Sequence, residues 1–307
     1  MTIPYALLFV MIMILSGAPL ALSKNPKQRQ KALDRYARKV NLAITPQVRP
    51  QVIRRIVTVE RAAIAGSGCG AILGLALGIA LGDRWLTGMG GSSTPLLILI
   101  SAALGAVVAP ACTAAVLSCQ RRPGPRIARV SSPEVSDYVP ELERWSAPVA
   151  LIGAGCTLAA GWIGLQSGVL SSDSLSAGQV FTTVGAVLGY LALIGFIAGI
   201  VLRRRVLQTG QPAATEQELA WDDALRANTL RGMAQLPFVL ALASILVTVL
   251  DVGTRTVPQG LLGLLGVTGL LTIMVLSTVG IVLDVSSRPS QHYWRRLWAG
   301  RQQRAAA

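Results

Sequence analysis

Residues 62–82 read AAIAGSGCGAILGLALGIALG, twenty-one positions without a charged side chain, closed by Arg61 before and Asp83 after. A helix needs about 20 apolar residues to cross the hydrocarbon core of a bilayer, and this run meets that length. Six further runs do the same, at 3–22, 95–118, 147–168, 180–202, 232–250 and 260–283, none holding Asp, Glu, Lys, Arg or His. Over the whole 307-residue chain, 52% of residues are hydrophobic and 14% charged, with mean hydropathy +0.56. Soluble proteins carry about 25% charged residues, so the composition excludes a soluble enzyme, a disordered chain and a disulfide-rich secreted domain. The expected fold class is an all-α membrane protein with seven transmembrane helices.

The connections set an orientation. Segment 23–61 holds eleven Lys and Arg, and segments 119–146, 203–231 and 284–307 hold five each, whereas the intervening connections hold only Arg84 and Arg255. Basic loops stay cytoplasmic, which places the N-terminus outside and the C-terminus inside, in keeping with an odd number of spans. The first run has no basic residue before it and Lys24, Lys27, Arg29 and Lys31 after it, the reverse of a secretory signal. The expected organisation is an N-out anchor over 1–22, a basic amphipathic cytoplasmic segment over 23–61, a six-helix region over 62–283 made of three hairpins, and a basic tail over 284–307. Gly66-Ser67-Gly68-Cys69 in the first hairpin matches Gly153-Ala154-Gly155-Cys156 in the second, a faint sign of duplication that chance in apolar sequence also explains.

Two basic stretches are amphipathic. Ala32, Leu33, Tyr36, Ala37 and Val40 share one helical side, opposite Lys31, Arg35, Arg38 and Lys39. Pro46 and Pro50 interrupt the pattern. Val52, Ile53, Ile56 and Val57 then form a second stripe, opposite Arg54 and Arg55, leading into the run at 62–82. In the tail Tyr293, Trp294, Leu297 and Trp298 lie away from Arg295 and Arg296. Helices of this type lie in the headgroup plane, so Lys31, Arg35, Arg38, Lys39, Arg54, Arg55, Arg295 and Arg296 are expected to face anionic lipid headgroups. Segment 211–231 shows no apolar face and reads as a polar cytoplasmic helix.

The second strong pattern is glycine spacing. Gly66, Gly70, Gly74, Gly78 and Gly82 recur every four residues, and Ser101, Gly105 and Ala109 do so in the next run. Small residues at this interval form a groove that admits another backbone, so these eight residues are the expected helix-packing set. Cys69, Cys112, Cys119 and Cys156 lie in or beside apolar runs without CxxC spacing and read as small packing residues.

Catalytic patterns are sparse. The single histidine, His292, lies beyond the last run, which leaves neither an HExxH pair nor a histidine partner for an intramembrane serine nucleophile. The glycine clusters lack the Gly-Lys-Ser/Thr ending of a phosphate loop. Asp83, Asp173 and Asp251 fall in separate outer turns. Gln166, Gln179, Thr182, Thr183, Thr248, Thr272, Ser277 and Thr278 are the polar groups within or beside the runs, with either a solute path or bonds to helix backbone as their role. No catalytic, metal or cofactor site is expected, and the charge placement argues against nucleic acid. With 24 Arg against 4 Lys, the composition suggests a bacterial cytoplasmic membrane. The expected role is a non-enzymatic membrane component whose basic face meets anionic lipid or a partner protein. The alternative is the permease subunit of a partner-energised transporter, not coupled directly to an ion gradient.

Overall fold

The computed structural model describes residues 26–46, 48–81, 94–120, 133–170, 176–211, 213, 215–256 and 292–298. Within them the chain is helical and contains no strand. The elements are α1 (Pro26–Val40), α2 (Arg49–Leu81), α3 (Thr94–Cys119), α4 (Val135–Tyr138), α5 (Glu141–Gln166), a 3₁₀ turn (Ala177–Thr182), α6 (Val184–Gln208), α7 (Glu216–Thr256) and α8 (His292–Leu297). Five of them, α2, α3, α5, α6 and α7, are long and apolar enough to cross a membrane. The expected spans at 3–22 and 260–283 lie outside the described residues, as do Gly82, Asp83 and Asp173.

Two of these helices are longer than the apolar runs they contain. α2 has 33 residues and joins the amphipathic stretch at Val52–Val57 to the run at 62–82 without a break. Pro50 falls in its first turn, where a missing N–H has no helical acceptor to lose. α7 has 41 residues, roughly 60 Å at 1.5 Å per residue, about twice the hydrocarbon core. Pro237 lies near the start of the apolar run at 232–250 but in the interior of α7, because the helix begins sixteen residues before the apolar run does. Pro237 cannot donate to the Met233 carbonyl, and α6 comes near that carbonyl: a Cβ on Gly199 would stand 3.3 Å from it.

α2 and α3 pack along their lengths, antiparallel. The backbone of α2 at Gly66 lies against Gly105 and Ala109, and at Gly70 against Ser101 and Ala102, so closely that a Cβ on either glycine would overlap the facing carbonyl. Gly105 meets Gly66 in the same way from the other side. Gly74 and Gly78 are buried on the same face, and Ala71, Ile98 and Ala102 close the contact.

The second expected hairpin, 147–202, is built differently. α5 and α6 touch each other little, and each packs chiefly on α7, which lies between them. Small residues make the space. Gly185 and Gly189 of α6 receive Thr248 and Ser244 of α7, while Gly153 and Gly161 of α5 face Ile245 and Val252. Ala150, Ala154, Leu188, Ala192, Leu240, Ala241 and Val247 fill the centre. Gly153 thus meets an α7 side chain where Gly66 meets α3 backbone, so the two similar glycine motifs do different work.

The in-span polar groups mostly bond to backbone. Thr182 and Thr183 donate to the Gln179 and Val180 carbonyls at 2.9 and 2.8 Å, and Ser244 to the Gly185 carbonyl at 2.6 Å. The Thr248 hydroxyl has no partner among the described residues. Asp251, expected in an outer turn, is buried in the last turns of α7 at 4% exposure. Three of the four cysteines are exposed on helix surfaces rather than packed inside, in the same environment as Ile79, Val149, Ile152, Ile194 and Ile197. A thiol is small and apolar enough for that setting.

The α2–α3 geometry makes a direct prediction. Gly70→Ala or Gly66→Ala should lower the melting temperature of the detergent-solubilised protein, by an amount typical of overpacking, about 1–3 kcal/mol. Gly68→Ala, two residues from either in the same helix, adds a Cβ that meets nothing within 4 Å, and should be neutral or stabilising because alanine is the better helix former. Equal effects at the three positions would contradict the close contact.

Candidate functional site

The first half of α7 projects beyond the apolar run and is buried on nearly every side. Leu219, Ala220, Trp221, Asp223, Ala224, Arg226, Ala227, Thr229, Leu230 and Arg231 are all buried. Burial all round removes the one-sided periodicity by which an amphipathic helix is read, so the sequence shows no face here. Its polar residues are satisfied one by one by other segments.

Asp223 has 0% exposure. Its Oδ1 accepts from the Tyr138 hydroxyl at 2.9 Å and from Gln211 Nε2 at 2.8 Å, and its Oδ2 from Trp298 Nε1 at 3.0 Å. The donors belong to α4, to the link before α7 and to the turn that ends α8. Next to it, Asp222 receives Arg226 Nε at 3.1 Å and lies 3.9 Å from Arg55. Arg226 also donates to the Thr209 carbonyl, which caps the C-terminus of α6; a cation is favoured at that negative end of a helix.

Arg55 was expected at the lipid headgroups. It is buried instead, at 6% exposure, and donates to the hydroxyls of Ser118 and Thr229. Those hydroxyls are 3.1 Å apart and also bond to their own helices, at the Ala114 and Leu225 carbonyls. One guanidinium thus ties α2, α3 and α7 together. Arg231 performs the same service between α7 and α5, through a two-pronged pair with Glu143 at 2.7 and 2.6 Å.

The amphipathic segments pack on this layer. Leu33, Ala37 and Val40 of α1, expected to lie on lipid, are buried by protein: Leu33 and Ala37 against Val48, Val52 and Trp221, and Val40 in the neighbouring cluster with Tyr138, Leu219 and Tyr293. The Trp221 indole and the Gln217 amide both donate to the Ala43 carbonyl at 3.0 Å, and the Tyr36 hydroxyl donates to the Ala224 carbonyl at 3.2 Å. Tyr293 and Trp298 of the tail are buried in the same layer, with Trp294 stacked on Trp298 at 5.5 Å. His292 bonds to the Ser136 carbonyl at 3.0 Å. Burial pushes the Tyr36 phenol up to about 12, against the pull of Arg55 and Arg231. Tyr293 is raised too, first by burial and then by Tyr36 and Asp223; its hydroxyl has no hydrogen-bond partner among the described residues.

The other expected headgroup residues, Lys31, Arg35, Arg38, Lys39, Arg54, Arg295 and Arg296, are exposed at this end of the bundle. Arg204 and Arg205 at the end of α6 join them. Among the described residues, no three His, Cys, Asp or Glu side chains are placed to hold a metal ion.

Breaking a buried pair leaves one charge stranded, which costs about 3–5 kcal/mol. Arg231→Met alone should therefore destabilise the protein strongly, and adding Glu143→Leu should restore most of the loss, as read by thermal melting of the two variants in the same detergent. A double variant no better than the single one would show that the pair does not couple α5 to α7. In comparisons with known proteins, no family model, no curated protein and no solved structure matches the chain.

Proposed function

We propose that the chain is a non-enzymatic, multi-pass membrane component whose folded basic end contacts anionic lipid headgroups. The observation that carries this reading is how charge is sorted at that end. The carboxylates of Glu143, Asp222 and Asp223 are turned inward and bonded, while Lys31, Arg35, Arg38, Lys39, Arg54, Arg204, Arg205, Arg295 and Arg296 face outward. The inward groups include Arg55, Arg226 and Arg231 as well, so the interior is close to balanced. Outside, these basic residues outnumber the exposed carboxylates of Glu60, Glu134, Glu141 and Glu216 and make a cationic rim around the helix ends. Each Lys or Arg near an anionic surface is worth about 1 kcal/mol, so such a rim holds the protein at a fixed depth.

In this proposal the basic end is cytoplasmic, the full chain crosses seven times with the N-terminus outside, and the membrane is a bacterial cytoplasmic one. The supports are the charge-free runs at 3–22 and 260–283 and the placement of 26 of the 28 basic residues on alternate connections.

Melting of the full-length protein in nanodiscs tests the lipid contact. Phosphatidylglycerol should raise the melting temperature over phosphatidylcholine, and the gain should fade at high salt, because surface charges are screened. The gain should also shrink in an Arg35→Glu, Arg38→Glu, Arg54→Glu variant. A gain unaffected by salt and by charge reversal would overturn the reading.

A further inference from the structure

Among the described residues the buried arginines are Arg55, Arg203, Arg226 and Arg231. All but one meet a carboxylate, Arg55 and Arg226 at Asp222 and Arg231 at Glu143. Arg203, near the basic end of α6, is 8% exposed and meets none among the described residues. Its hydrogen bond there runs from Nε to the Gly199 carbonyl of its own helix, at 3.1 Å. That bond occupies one of several N–H donors and balances no charge. A guanidinium keeps its proton in proteins, so a buried one calls for an anion beside it.

The side chain also turns away from water. Interfacial arginines normally stretch outward, and the neighbouring Arg204 and Arg205 are exposed. The Arg203 guanidinium instead folds back over Gly199, where a Cβ would stand 3.6 Å from Nη2, toward the charge-free run at 180–202. Phe196, Ile200, Arg203 and Leu207 share one side of α6, spaced three or four residues apart. Ile200 is exposed, Phe196 and Leu207 are half-buried, and Leu193 continues the strip as an exposed residue. The buried cation therefore lies at the margin of the packed face, beside apolar surface that lipid covers.

We infer that the counter-ion of Arg203 is the phosphate of one anionic phospholipid, with an acyl chain lying along Leu193, Phe196 and Ile200. The inference rests on the lipid-contact reading above and narrows it to a single site on α6. The chemistry is that of a phosphodiester. With Nε held by Gly199, the two Nη groups remain to grip phosphate oxygens in parallel, the arrangement for which a planar guanidinium is suited. The position fits as well, since Arg203 directly follows the run at 180–202, the level at which headgroups begin. Arg204 and Arg205 beside it repel the choline of a zwitterionic headgroup and favour one that brings no cation.

Native mass spectrometry of the full-length protein, titrated with phosphatidylglycerol, phosphatidylcholine or inorganic phosphate, tests this together with melting in lipid-free, uncharged detergent. One phosphatidylglycerol should remain bound at activation energies that strip further copies, with phosphatidylcholine retained roughly tenfold less. Arg203→Leu should lose the retained lipid, and so should Arg203→Gln, which keeps a donor for the Gly199 carbonyl. In lipid-free detergent both variants should melt at or above the temperature of the unaltered protein, because each removes a buried charge that the chain itself does not pair. The Arg35→Glu, Arg38→Glu, Arg54→Glu variant should keep the single lipid while losing the salt-sensitive stabilisation, which separates failure at Arg203 from failure of the rim. A lower melting temperature of both neutral variants in lipid-free detergent would assign the counter-ion to the chain, Asp284 after the run at 260–283 being an acidic residue in position for it, and would overturn the inference. Undiminished retention in Arg203→Leu, equal retention of phosphatidylcholine, or displacement of the lipid by inorganic phosphate would overturn it too.

Discussion

An acidic side chain shut away from water needs hydrogen-bond partners in place of its hydration. Asp223 is in that position, and the arrangement of the basic end follows from how it is met. Donors to it come from α4, from the link before α7 and from the tail. Satisfying one side chain therefore fixes three segments that are far apart in sequence. Trp221, Thr229 and Arg231 extend the pattern to the link after α1 and to α2, α3 and α5, because each finds a partner outside α7. α7 is the axis of the molecule: its second half lies between α5 and α6, and its first half is the post around which the polar layer is assembled.

Different forces hold the two halves. Between spans, lipid tails are as apolar as the side chains, so association depends on close packing and on hydrogen bonds. The glycine face of α2 against α3 and the small residues of α5 and α6 around α7 supply that closeness. Beyond the spans, ion pairs, hydrogen bonds and buried aromatics take over. Arg55 and Arg231 sit at the border and tie the layer to helices on either side of α7.

Much of this was legible in the sequence, for physical reasons that also explain what was not. Charge-free runs of 20 residues declare helices because nothing else satisfies backbone groups in hydrocarbon. Glycines four apart mark a groove whatever their partner. The apolar side of α1 was legible as well, but a pattern of apolar residues does not say whether lipid or protein covers it. Leu33 and Val40 are covered by protein. Arg55 was hidden among exposed basic neighbours. The signal for it lay in Ser118 and Thr229, hydroxyls more than sixty residues away that no local pattern connects to it. The start of α7 was the hardest to read, since a helix enclosed by polar partners has no period. Sequence adjacency also misled, in predicting that α5 and α6 would pair, when the small residues on both make room for α7.

The central claim is that the basic end is a folded layer built on α7, not a set of separate helices resting on the membrane. Hydrogen–deuterium exchange of the full-length protein in nanodiscs of neutral lipid tests it most directly. The account predicts that the amides of α1 and α8 are protected in phosphatidylcholine alone, with little change when phosphatidylglycerol is added, because protein covers their apolar sides. Rapid exchange of both helices in neutral lipid, slowed only by anionic lipid, would contradict it.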